Sequence, residues 1–125
     1  MKKYYSGPDY VDWIGIDGYN WQAQNVDEMI GGLYHAVVQH PDIFGDKPIM
    51  MAEWGMAESL TDQQTKAQWL TEAFDKIKND YPKIRAFYWF QVNKEHDWRL
   101  NETPEAWDVF KQAMQDPVFV GCDVE

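Results

Sequence analysis

Three apolar runs punctuate the chain, residues 11–17 (VDWIGID), 48–53 (PIMMAE) and 84–92 (IRAFYWFQV), and the apolar residues between them recur every three or four positions. The runs are near-continuous rather than alternating, which predicts parallel strands covered by helices on both faces. After the first run, Asn25 and Glu28 have the spacing of a capping box. Val26, Met29, Ile30, Leu33 and Val37 then mark one helical face as far as Pro41. After the second run, Thr61 and Gln64 have the same spacing. Ala67, Leu70, Phe74 and Ile77 form the stripe, and Tyr81-Pro82 is the stop. A third helix is predicted from Thr103 with Pro104 at its first position, burying Ala106, Val109, Phe110, Ala113 and Met114 until Pro117. Residues 118–120 (VFV) would allow a short fourth strand.

The predicted order is strand, helix, strand, helix, strand, helix. Ile14 to Met50 is a step of 36 residues and Met50 to Phe87 one of 37. Such a βα repeat implies an α/β fold with a parallel sheet, either doubly wound or part of a (β/α)8 barrel. No glycine-rich phosphate loop follows a strand, since Gly31-Gly32 falls inside a helix, so nucleotide binding loses ground. At 125 residues the chain is read as one domain, residues 1–125.

Charge narrows the partners. Eleven Lys and Arg against 21 Asp and Glu give a net charge of −10, with no basic cluster, so nucleic acid and anionic membranes are poor candidates. No stretch approaches the length of a membrane span, and no apolar run follows the basic amino terminus, so no export signal is expected in the chain as written. The single cysteine, Cys122, forms no internal disulfide. His35 and His40 are five apart and share no helical face, and no other spacing suits a metal, so neither metal nor cofactor is expected.

Seven Trp, seven Tyr and six Phe are more than a core of this size needs, so some are expected to bind ligand. In parallel βα folds reactive groups gather where strands end. The three ends here read Asp17-Gly18-Tyr19-Asn20-Trp21, Glu53-Trp54, and Tyr88-Trp89-Phe90-Gln91 with Asn93 beyond. Each pairs polar groups with an aromatic plane, the combination that sugar recognition uses. A carboxylate at the tip of a buried strand is a candidate nucleophile for glycoside hydrolysis, and a Tyr19 hydroxyl on the neighbouring strand would keep Glu53 ionised. A structural ion pair is the alternative role for Glu53. Trp13, Trp69 and Trp107 are expected to pack in the core, whereas Trp21 and Trp54 are equally suited to binding and packing. The loop from Glu95 to Arg99 either shapes a cleft or is a solvated loop with an internal ion pair.

The stretches DYVDWIGIDGYNW, KPIMMAEWG and IRAFYWFQVNKEHDWRLN, in that order, resemble the carboxyl-terminal part of glycoside hydrolase family 26. These are the β-mannanases and related β-glucanases of the retaining (β/α)8 clan. The resemblance runs from about Tyr4 to Gln115. It implies a partial (β/α)8 (TIM) barrel whose three βα units match strands six to eight, with outer helices. By that match Glu53 is the nucleophile and Tyr19 lies beside it. Asp17 matches the strand-six residue paired with that tyrosine, and Trp89 the floor beneath the scissile bond; both are expected to be substrate-binding, as are Trp21, Trp54 and Asn93 from their places at the strand ends. The substrate would be a β-linked polysaccharide, and full-length relatives are usually secreted. The family's general acid sits at the end of strand four, which has no counterpart here. The chain is therefore expected to be inactive or very weak alone. A carbohydrate-binding module, or a homo-oligomer that completes a barrel with a neighbouring Glu95 or Glu58 as acid, is the alternative.

Overall fold

The computed structural model describes residues 4–22, 24–58 and 64–119. Its centre is a three-stranded sheet of β1 (Ile14–Asn20), β2 (Ile49–Met56) and β3 (Ile84–Trp89), ordered β1-β2-β3 and parallel throughout. Each strand is followed by helix. A π-helical turn (Asp27–Gly31) leads into α1 (Gly32–Val38), and a single turn, α2 (Pro41–Phe44), precedes β2. Helix α3 (Lys66–Asn79) follows β2 and α4 (Pro104–Ala113) follows β3. The alternation of strand and helix is as the spacing implied.

Local chemistry accounts for the helix starts. Asn25 Oδ1 accepts from the Glu28 N–H at 2.9 Å and Glu28 Oε2 accepts from the Asn25 N–H at 3.1 Å, a reciprocal capping box. Thr103 caps α4 by accepting from Ala106, with Pro104 at the first position. The start of α3 differs from expectation. Its box is formed by Thr65 and Gln68, and the Thr61 predicted for that role lies outside the described residues. The buried stripe of α3 runs through Lys66, Trp69, Leu70, Ala73, Phe74 and Ile77, while Ala67 is only partly covered.

The strands are not covered on both faces. Along β1 burial alternates strictly, with Ile14, Ile16, Gly18 and Asn20 buried and Gly15 and Asp17 exposed. The helices lie against the first set, so among the described residues the other face is open. Strand β1 also begins three residues later than predicted, which leaves Trp13 ahead of the sheet and 43 % exposed rather than in the core. Trp69 is fully buried as expected, but Trp107 is 38 % exposed and stacks on Phe110 at the surface of α4. Val118 and Phe119 lie in a turn, not a strand, and Val120 is outside the described residues. Gly18 matters to the layer packing, because a Cβ there would meet Leu33 Cδ1 at 2.6 Å and Met29 Sδ at 2.7 Å. A larger residue there would make the ends of the Leu33 and Met29 side chains shift.

Strand β2 carries one irregularity that decides where its side chains point. Ile16 pairs with Met51 and Asp17 with Glu53, and on the other side Phe87 pairs with Met51 and Trp89 with Trp54. Both neighbours skip a residue of β2 at Ala52–Glu53, which is a β-bulge. Ile49 and Met51 face the helices on odd numbers; past the bulge Trp54 and Met56 do so on even ones. The extra residue flips the alternation, exposing Glu53 on the open face and seating Trp54 in the core.

Candidate functional site

The bulge brings Glu53 beside two β1 residues that share the open face. Asp17 is its register partner, and the Tyr19 hydroxyl donates to Glu53 Oε2 at 2.5 Å. Burial of the phenol, followed by the hydrogen bond and the negative charge of Glu53, raises the Tyr19 pKa far above an ordinary tyrosine. Asp17 and Glu95 add smaller pushes in the same direction. Tyr19 therefore stays protonated at any working pH, a permanent donor to the carboxylate.

An aromatic wall holds Tyr19 in place. Its ring meets Phe90 at 5.3 Å and Trp98 at 5.2 Å, both edge to face, and lies 6.2 Å from Trp21. Trp98 is 1 % exposed and also meets Trp21 at 4.6 Å. It packs down on β2 as well, since a Cβ at Gly55 would lie 3.3 Å from its ring. Trp21 remains 47 % exposed, with His96 against its edge at 5.7 Å. The wall thus ends in one accessible indole, 6.2 Å from the Tyr19 ring.

The remaining predicted residues are placed elsewhere. Trp54 is fully buried on the helix side, its ring near Trp69, Phe74 and Phe87, so it is a core residue and touches nothing on the open face. The bulge is the physical reason. Trp89 is half-buried, 4.9 Å edge-on to Trp54, and its Nε1 donates to the Trp98 carbonyl at 2.6 Å. Asn93 is exposed at the start of a loop that closes by an antiparallel bridge to Asp97. Phe90 and Trp98, rather than Trp89, stand against Tyr19. Among the described residues no group of three or more His, Cys, Asp or Glu could hold a metal.

The loop from Asn93 to Arg99 is built around an ion pair. Arg99 donates from Nε to Asp97 Oδ1 at 2.8 Å and from Nη2 to Oδ2 at 2.6 Å, and these bonds hold the Asp97 carboxyl down to about 2. The loop is not simply solvated, because it also carries the buried Trp98. Asp97 has a lower pKa folded than unfolded, so its contribution is present above the ordinary carboxylate range and lost as pH falls toward about 2. Between about pH 4 and about pH 2 the loop is expected to lose on the order of 1 kcal/mol and tryptophan fluorescence to shift red. In Arg99→Gln this acid step should disappear; its persistence would assign the step to another carboxylate. Glu95 is likewise held ionised, first by a backbone hydrogen bond within its own residue and then by Lys94 and the Trp98 indole.

Two further residues were not evident from the sequence. Asn20 is buried at the end of β1, donating to and accepting from the Gln24 backbone at 2.7 Å each. Trp69 Nε1 donates to the same Gln24 carbonyl, so the β1–α1 connection is fastened to α3. Lys66 is also buried, and its bonds reach the loop around Trp98.

No family model matches the chain. The chain is 39 % identical over 119 residues to Endoglucanase H of Acetivibrio thermocellus, a match covering 89 % of this chain and 12 % of that protein. The chain therefore spans only a small part of the curated relative it matches. No helix among the described residues is long and apolar enough to cross a membrane.

Proposed function

We propose that the chain is the carboxyl-terminal part of a retaining endo-β-glycanase of the family 26 type, its three strands serving as strands six to eight of a (β/α)8 barrel and Glu53 as nucleophile. The observation that carries this reading is the 2.5 Å hydrogen bond from Tyr19 to Glu53 at the carboxyl ends of adjacent parallel strands. The similarity to a protein named Endoglucanase H supports a glycan substrate and favours β-glucan over mannan.

In this reading Tyr19 occupies Oε2 and leaves Oε1 to attack the anomeric carbon. The new C–O bond forms as the glycosidic bond breaks, and the leaving oxygen takes the electron pair together with a proton from a second carboxyl group about 5 to 5.5 Å away. That acid is assigned to a residue outside these 125, as the family resemblance places it at the end of strand four. Trp21 offers an apolar face to a sugar ring, and Asp17, exposed on the same face, takes hydrogen bonds from sugar hydroxyls. Trp89 contributes by fixing the Trp98 carbonyl, and Asn93 lies at the rim.

The test removes the need for an acid. A dinitrophenyl fluoroglycoside of cellobiose has a leaving group that departs unprotonated, and its fluorine slows release of the glycosyl-enzyme. Peptide mapping by mass spectrometry is expected to find one glycosyl adduct, on Glu53. An adduct on another carboxylate, or none at saturating reagent, would refute the assignment. The exposed Trp21 favours a second reading, a glycan-binding module, which predicts calorimetric binding of cello-oligosaccharides without any adduct.

A further inference from the structure

Lys66 stands where a lysine is least expected. It is the first residue of α3, where the helix dipole disfavours a cation, and its side chain is fully buried, which Lys tolerates only when paired. Burial accordingly lowers its pKa, with Glu102 as the chief opposing influence. All three ammonium protons have acceptors: the Asp97 carbonyl at 3.1 Å, the Arg99 carbonyl at 2.8 Å and the Glu102 carboxylate. Glu102 also accepts from the Glu58 N–H at 3.1 Å, and Glu58 from the Lys66 N–H at 3.3 Å. The cluster ties the segment after β2 to the segment after β3.

The two carbonyls belong to the residues on either side of Trp98. The backbone of Trp98 itself is held at both ends, its N–H donating to Val92 at 3.0 Å and its carbonyl accepting from Trp89. With Lys66 on both flanks, the indole is fixed against Tyr19, and Tyr19 is fixed on Glu53. We propose that Lys66 is a positioning residue for the Tyr19–Glu53 pair, acting through the backbone around Trp98. A lysine kept only for stability would be a poor choice, because an apolar side chain of the same length would fill the space without the desolvation cost. What the ammonium alone supplies is a three-way bond that aims two carbonyls and a carboxylate at one point.

The molecule carries its own control. Tyr81 donates to Asp27 at 2.5 Å, a second short phenol–carboxylate bond in which Lys66 takes no part. Both hydroxyl protons are expected downfield in the proton NMR spectrum, assigned by Tyr19→Phe and Tyr81→Phe. In Lys66→Met the Tyr19 signal should be lost to solvent exchange while the Tyr81 signal stays. In Glu102→Gln, a gentler change should Lys66→Met fail to fold, Tyr19 exchange should quicken at least about tenfold with Tyr81 unchanged. The proposal is overturned if Tyr19 keeps its signal in a folded Lys66→Met variant, if its exchange is unchanged in Glu102→Gln, if both signals fade together as in global loosening, or if Tyr19 shows no such signal in the unchanged chain. Its functional consequence rests on the reading of Glu53 above: Lys66→Met should weaken cello-oligosaccharide binding about tenfold by calorimetry. If the unchanged chain binds no glycan, that reading fails, and the hydroxyl exchange still decides the role of Lys66.

Discussion

Trp54→Ala is expected to destabilise the chain by about 3 to 5 kcal/mol, the cost of removing a large aromatic side chain from a core. Trp54 is fully buried among Trp69, Phe74 and Phe87, and such a loss approaches the whole stability of an ordinary domain, about 5 to 15 kcal/mol. Deletion of Ala52 acts differently. It removes the extra residue of the bulge, Glu53 takes its place on the open face and Trp54 follows to the helix side, so β2 alternates regularly from Ile49 onward with both side chains on their present faces. The deletion should therefore keep a cooperative melt that Trp54→Ala loses. Ala52→Gly keeps the residue count and should stay folded at a cost of about 1 kcal/mol. Circular dichroism and thermal melting of the three variants provide the check. A Trp54→Ala variant that melts near the parent temperature would show that the indole seated by the bulge does not hold the core together.

That bulge is also the reason Trp54 was hard to read. In PIMMAEWG nothing marks Ala52 as the extra residue, for there is no glycine or proline at the irregularity. The choice of face for Glu53 and Trp54 depends on pairing with two other strands. By contrast, the Asn25–Glu28 and Thr103–Pro104 helix starts depend on bonds within four residues, and they were legible. The start of α3 was ambiguous for a related reason: Thr61-x-x-Gln64 and Thr65-x-x-Gln68 both fit a capping box, and burial of Lys66 against the segment after β3 favours the second. Lys66 escaped notice because its acceptors are the carbonyls of Asp97 and Arg99, more than 30 residues away. The near-continuous apolar runs pointed to strands covered on both faces, whereas β1 alternates and leaves one face open. Tyr19 and Glu53 were legible as a pair because strand-end chemistry, rather than register, singled them out.

Substitution at that pair should separate nucleophile from helper. Glu53→Gln removes the attacking oxygen while keeping the shape, so the fluoroglycoside adduct at this position should vanish altogether. Tyr19→Phe keeps the ring against Phe90 and Trp98 and deletes only the hydroxyl bonded to Oε2. A hydrogen bond to a charged group contributes about 1.5 to 3 kcal/mol, and each 1.4 kcal/mol or so corresponds to a factor of ten in rate. The adduct should therefore still form on Glu53 in Tyr19→Phe, at a rate about ten- to a hundredfold lower, with melting temperature little changed. Time-resolved intact-mass spectrometry measures both variants in one format. If Tyr19→Phe labels as fast as the unchanged chain, the 2.5 Å contact is only structural and Glu53 reacts without its help. If Glu53→Gln still takes the label, the nucleophile lies elsewhere on the open face, and Asp17, the register partner of Glu53, is the residue to replace next.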